Sequence, residues 1–146
     1  MRCDDTTMTK TPKSAYEKTN GVAYFPRMLD KIRLHARGEL RADFHANLGK
    51  GADARCLDFL RSDYEALKAR VLEGGTDEEI LEWCFDNGRR LNEGDIIVWT
   101  GFITKLGWND FVSPRLRQVK AENGLEDRDD IQTMAEFFEV DEGRKP

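Results

Sequence analysis

His35 and His45 are the only histidines in the chain, and both fall within one stretch, residues 25–50. An imidazole titrates near neutral pH, so either ring is a candidate general acid or base. The stretch is also locally basic. Arg27, Lys31, Arg33, Arg37, Arg41 and Lys50 face only Asp30, Glu39 and Asp43, a net of +3 in a chain of net −5. Such a grouping suits a small anionic ligand. Arg27 can hold a carboxylate or phosphate through two parallel hydrogen bonds. Lys50, flanked by Gly49 and Gly51 and close to Asn47, can neutralise charge while the flexible backbone offers N–H groups. Asp30 can orient a histidine or Arg27. His35 lies three residues after Ile32 and seven after Met28, which places it toward the buried edge of a helix.

Each of these features has a plainer explanation. A core-edge histidine can bond a backbone carbonyl, mixed charges on a helix pair at i,i+3 and i,i+4, and Gly-Lys-Gly can be an empty turn. It is not a Walker loop, whose longer Gly-x-x-x-x-Gly-Lys-Ser/Thr pattern is absent. No His-x-x-x-His or Glu-x-x-His spacing presets a metal site, and neither a metal nor a cofactor is expected. Cys3, Cys56 and Cys84 form no Cys-x-x-Cys pair. Cys56 and Cys84 sit among apolar helical neighbours and read as small buried hydrophobes.

The elements that must position these residues read as short helices with no sustained two-residue alternation, hence an all-α fold of six to seven helices in a single compact domain. The first helix starts at Pro26, whose missing N–H is no loss in a first turn, and ends at Gly38. Met28, Leu29, Ile32 and Ala36 form its expected core stripe. Asp53 caps a short helix through Leu60, and Ser62 or Asp63 opens another that stops at Gly74. Thr76 and Glu79 make a capping box ahead of a helix to Asn87. Asn92 caps the next, which ends at Gly107, and Ser113-Pro114 starts a further one. The last is expected near Asp129 to Phe138, its carboxylates meeting the helix dipole. Residues 1–20 read as a flexible tail, 21–140 as the domain and 141–146 as a second tail.

Length and composition narrow the class. One domain fits 146 residues with 39% apolar content. A net negative chain lacks the broad basic face that selects nucleic acid. No apolar run approaches the roughly 20 residues that cross a bilayer, so the expected setting is cytoplasmic with no membrane partner.

Tyr24-Phe-Pro-Arg-Met-Leu-Asp-Lys-Ile-Arg-Leu-His35, Gly38-Glu-Leu40, Asp43-Phe-His45, Gly49-Lys-Gly51 and Leu57-Asp-Phe-Leu60 carry a resemblance. Over roughly Val22 to Phe138 the chain resembles a bacterial family described only as domain of unknown function 5069. The resemblance implies no activity. It does coincide with the basic, histidine-bearing segment. The leading expectation is therefore a small anionic or polar metabolite bound by Arg27, Asp30, Asn47, Gly49, Lys50 and Gly51, with His35 or His45 moving a proton. The alternative is a non-catalytic interaction or oligomerisation module, a homo-oligomer among the options, in which the basic helix docks on an acidic surface. Residues 122–145 carry nine acids against three bases.

Overall fold

The computed structural model describes residues 9–146, so residues 1–8 of the expected tail lie outside the described residues. The fold is mostly helical, as expected. It contains α1 (Phe25–Ala36), a 3-10 helix (Ala42–Asn47), α2 (Ala52–Leu60), α3 (Tyr64–Leu72), α4 (Asp77–Asn87), α5 (Glu93–Lys105), α6 (Ser113–Glu122) and α7 (Met134–Asp141).

Most local stop and start signals act where the sequence placed them, but Asp53 and Ser113 do not cap. Gly51 and Val112 hold the N-cap positions of α2 and α6, neither with a side-chain cap bond, because Asp53 turns inward from the first turn of α2 and Ser113 is already helical. Pro26 sits in the first turn of α1, and Gly38 ends the helix at φ 71° in a Schellman motif. There the Glu39 N–H donates to the Leu34 carbonyl at 2.9 Å and the Gly38 N–H to the His35 carbonyl at 3.0 Å. Capping boxes open α4 through Thr76 and Glu79 and α5 through Asn92 and Asp95. These devices satisfy backbone groups within one turn, which is why they are readable locally.

Four further expectations are corrected. Residues from Lys10 onward do not read as a tail: Pro12, Ala15 and Thr19 are buried, and the Lys10 N–H donates to the Glu39 carbonyl at 2.7 Å. A minimal antiparallel hairpin, β1 (Lys18–Thr19) and β2 (Val22–Ala23), joins Lys18 to Ala23 and Thr19 to Val22. Its Asn20-Gly21 turn takes positive φ at both residues, the dipeptide preference of a type I′ hairpin. Second, Ala36 is exposed, so the core stripe of α1 is Met28, Leu29 and Ile32. Third, α7 starts at Met134 behind a Thr133 cap, leaving Asp129 and Asp130 outside the helix. Fourth, Asp141 ends α7 and the residues beyond it are tied to the body by Glu142 and Arg144.

The main core joins Met28, Leu29 and Ile32 of α1 to Leu57, Leu60, Leu67, Ile80, Leu81, Trp99 and Ile103. The hairpin docks on α5, where the Trp99 indole N–H donates to the Ala23 carbonyl at 2.8 Å. A smaller cluster, Leu116, Val119, Ile131 and Phe137, holds α6 against α7. A third, Leu34, Leu40 and Phe44, seats the 3-10 helix. A cleft opens between these bodies.

Candidate functional site

The cleft has a volume of about 650 Å³ and is lined from α1, the 3-10 helix, the start of α2, the loop before α6, α6 itself and α7. That volume falls within the range of small-molecule sites. Its floor is charged and buried. Tyr24, the residue just before α1, and Arg27 and Lys31, four residues apart on one face of the helix, all line it. Their relative exposures are 2%, 1% and 5%.

Asp53 of α2, wholly buried, holds one half of the floor. Its Oδ1 accepts from the Tyr24 hydroxyl at 2.6 Å and from the Lys31 ammonium at 3.0 Å, while its Oδ2 accepts from the Gly49 N–H at 3.0 Å. Lys31 Nζ lies 3.5 Å from the Tyr24 oxygen. Burial, reinforced by the Asp53 charge, pushes the Tyr24 phenol well above its usual range, so Tyr24 is held as a donor. Burial also lowers the Lys31 ammonium, against the pull of Asp53 and with the help of nearby Arg27.

Arg27 and Glu142 form the other half. Nη1 donates to Oε1 at 2.8 Å and Nη2 to Oε2 at 2.7 Å, a bidentate pair in which both side chains are sealed from solvent. Nη1 also donates to the Lys13 carbonyl at 3.0 Å. The guanidinium carbon stands 4.3 Å from the Phe138 ring centroid and 5.7 Å from that of Phe44, so aromatic faces flank the charge. Burial alone would lower the Arg27 pKa, but the hydrogen bonds and charge of Glu142 outweigh it and raise it. Among the described residues Arg27 Nε–H is the one buried side-chain polar group without a partner. Natural interiors seldom leave such a donor unpaired.

At the mouth, Lys50, Arg55 and Arg115 are exposed cations, while Asp43 and Asp141 are both paired with Arg41. Five cationic side chains line the cleft against four acidic ones, the opposite sign to the whole chain.

Four of the sequence-expected site residues line this cleft: Arg27, Asn47, Lys50 and Gly51. Asp30 does not orient a histidine or Arg27; its carboxylate accepts the Lys13 N–H at 3.0 Å. Gly49 does not offer its N–H to a ligand, since Asp53 takes it, and the Lys50 N–H is used by the Asn47 carbonyl at 3.0 Å. Gly49 has a steric role: at φ 75°, a Cβ there would stand 2.8 Å from the Tyr64 ring. His35 and His45 do come together, their rings 4.8 Å apart and edge-on, with His45 Nε2 3.0 Å from the Leu40 carbonyl oxygen. Both are exposed, however, and neither lines the cleft. His35 therefore stands outside the core edge where its spacing put it, because it falls in the last turn of α1 beyond the packed part of the stripe.

Sequence reasoning missed Tyr24, Lys31, Asp53 and Glu142 as site residues. By type and spacing Lys31 reads as one of the helix charges that pair at i,i+3 and i,i+4, and Asp53 as a cap. The available signal was that Arg27 and Lys31, four residues apart, share one helical face.

A family model described as a domain of unknown function, DUF5069, matches residues 9–144. The chain belongs to this family. No curated protein matches it. In this DUF5069 member the match reaches further in both directions than the resemblance read from residues 22–138, and it takes in Lys13 and Glu142. Both halves of the buried floor thus fall inside the family segment.

Proposed function

We propose that this protein binds a small anionic metabolite with an apolar or aromatic body in the cleft above the Tyr24–Lys31–Asp53 and Arg27–Glu142 floor. The observation that carries the reading is the floor itself, two buried ion pairs opening onto a cleft of ligand size, with an unpaired Arg27 Nε–H. Buried ion pairs are weak devices for stability, since well-packed apolar residues often do as well or better. Their presence in a cleft is better explained by what they hold in place.

Lys50 and Arg115 draw the anionic group at the mouth, and Phe44, Phe137 and Phe138 pack its body. Tyr24 and Lys31, rather than His35 and His45, are the proton-carrying groups on the cleft, so acid–base chemistry on the bound molecule falls to them. A cytoplasmic setting accords with the free, buried Cys56 and Cys84.

The test is a thermal-shift screen of phosphorylated and carboxylated metabolites. A binder raises the melting temperature by mass action. The expected hit shifts the native protein and His35→Ala equally, and loses most of its effect in Lys50→Ala and Arg115→Ala. A screen without hits, or a hit indifferent to both mouth substitutions, overturns the reading.

A further inference from the structure

Among the described residues Lys31 is the one buried lysine, and it lines the cleft. An ammonium carries three N–H groups in tetrahedral directions. Asp53 Oδ1 at 3.0 Å and the Tyr24 oxygen at 3.5 Å account for two of them, and no third acceptor meets Nζ among the described residues. One direction of this nitrogen is therefore without a protein partner, on a side chain that borders a cavity of ligand size. Burial lowers the Lys31 pKa, which brings the neutral, nucleophilic amine within easier reach than on a solvated lysine.

We propose that Lys31 forms a Schiff base with an aldehyde or ketone that carries an anionic group. On the cleft reading proposed above, on which this assignment rests, Lys50 and Arg115 hold the anionic group while the carbonyl reaches the floor.

The neighbours of Lys31 supply the proton transfers. Asp53 takes one proton from the ammonium across 3.0 Å and frees the nitrogen lone pair. The lone pair makes the C–N bond, and the carbonyl π pair moves to oxygen, which takes the Tyr24 phenol proton. Tyr24 is replenished by Asp53 across their 2.6 Å bond. The nitrogen then gives a second proton to Asp53, the same relay carries it to the new hydroxyl, and water leaves as the lone pair closes the C=N bond. Ammonium and carbonyl thus become a protonated imine and water, with Asp53 and Tyr24 returned to their starting states and no oxidant or reductant consumed. The imine keeps the positive charge that Asp53 pairs in the free protein, so no new buried charge is created.

Reductive trapping on the full chain tests it. The probes are phenylpyruvate, an aromatic α-keto acid, and pyridoxal phosphate, an aromatic aldehyde bearing a phosphate, each with cyanoborohydride to reduce the imine to a stable amine. Peptide mapping is expected to find label on Lys31 about tenfold ahead of exposed Lys10, Lys105 and Lys145, which stay protonated at neutral pH. The faster probe tells a carboxylate from a phosphate as the anionic group. Tyr24→Phe is expected to slow labelling about a hundredfold by removing the proton donor. Lys50→Ala, an exposed position that keeps the test valid if Tyr24→Phe fails to fold, is expected to raise the half-maximal probe concentration about tenfold with the fastest rate unchanged. No label on Lys31, or label there no faster than on the exposed lysines, overturns the proposal. If a probe still raises the melting temperature in that case, the cleft reading stands and only the covalent step falls; if neither does, both fall.

Discussion

Helix α1 buries Arg27 and Lys31 to 1% and 5% exposure, whereas α5 leaves Ile97 and Val98 at 67% and 65%. Each helix inverts the usual order of a surface helix at one face, in opposite directions. In α1 the inversion is compensated within the chain, since Asp53 and Glu142 supply carboxylates to the buried cations. In α5 no compensation comes from the described residues, and the apolar face stays open. The lesson is energetic. A buried charge must find its partner inside the fold, because an unpaired one costs several kcal/mol. An exposed Ile or Val costs the fold little and needs no partner.

Breaking the compensation in α1 has the largest expected effect. Asp53→Ala leaves Tyr24, Lys31 and the Gly49 N–H without their acceptor and is expected to cost about 3–5 kcal/mol in urea unfolding. Lys31→Met should cost clearly less, because Asp53 keeps the Tyr24 hydroxyl and the Gly49 N–H. Equal losses would mean that the floor is not organised around Asp53. Next comes Glu142→Gln, which retains one acceptor for Arg27 but removes the charge. A loss of about 2 kcal/mol is expected by the same measurement, and no loss would show that the C-terminal segment contributes nothing to the floor.

Alkaline titration probes the buried groups as a set. In the fold, burial raises the Tyr24 phenol and the Cys56 thiol well above their usual values and moves the Cys84 thiol up to about 11. These groups keep protons that the unfolded chain gives up, so the folded state binds more protons and stability falls as pH rises above about 9. Lys31 acts in the opposite sense. Its lowered pKa makes its contribution rise with pH until the unfolded lysine titrates near its ordinary 10.5. The thiols and phenol outnumber it, and a net loss is expected, each group contributing a slope of about 1.4 kcal/mol per pH unit within its window. Denaturant unfolding between pH 8 and 11 checks the sign, and Cys84→Ala should flatten the fall between pH 9 and about 11. The smallest effect belongs to α5: Ile97→Lys should leave stability within about 0.5 kcal/mol. A large loss there would mean that the outer face is part of the fold after all.

Legibility in the sequence followed distance along the chain. Pro26, Gly38, the Thr76–Glu79 box and the Asn92 cap were readable because each acts on groups within one turn. The hairpin was also readable in principle from Asn20-Gly21, and was missed because its strands are only two residues each. Arg27, Asn47, Lys50 and Gly51 of the basic segment line one cleft, whereas the histidines of that segment do not line it.

By itself, the sequence determined a mostly helical domain, most of its helix boundaries and the apolar stripe of α1 through Met28, Leu29 and Ile32, since caps and periodicity are short-range effects. Only the tertiary structure decided that Arg27 and Lys31 lie inside. Their partners stand 115 and 22 residues away, and a charged side chain looks solvent-bound until the carboxylate that meets it in the interior is known.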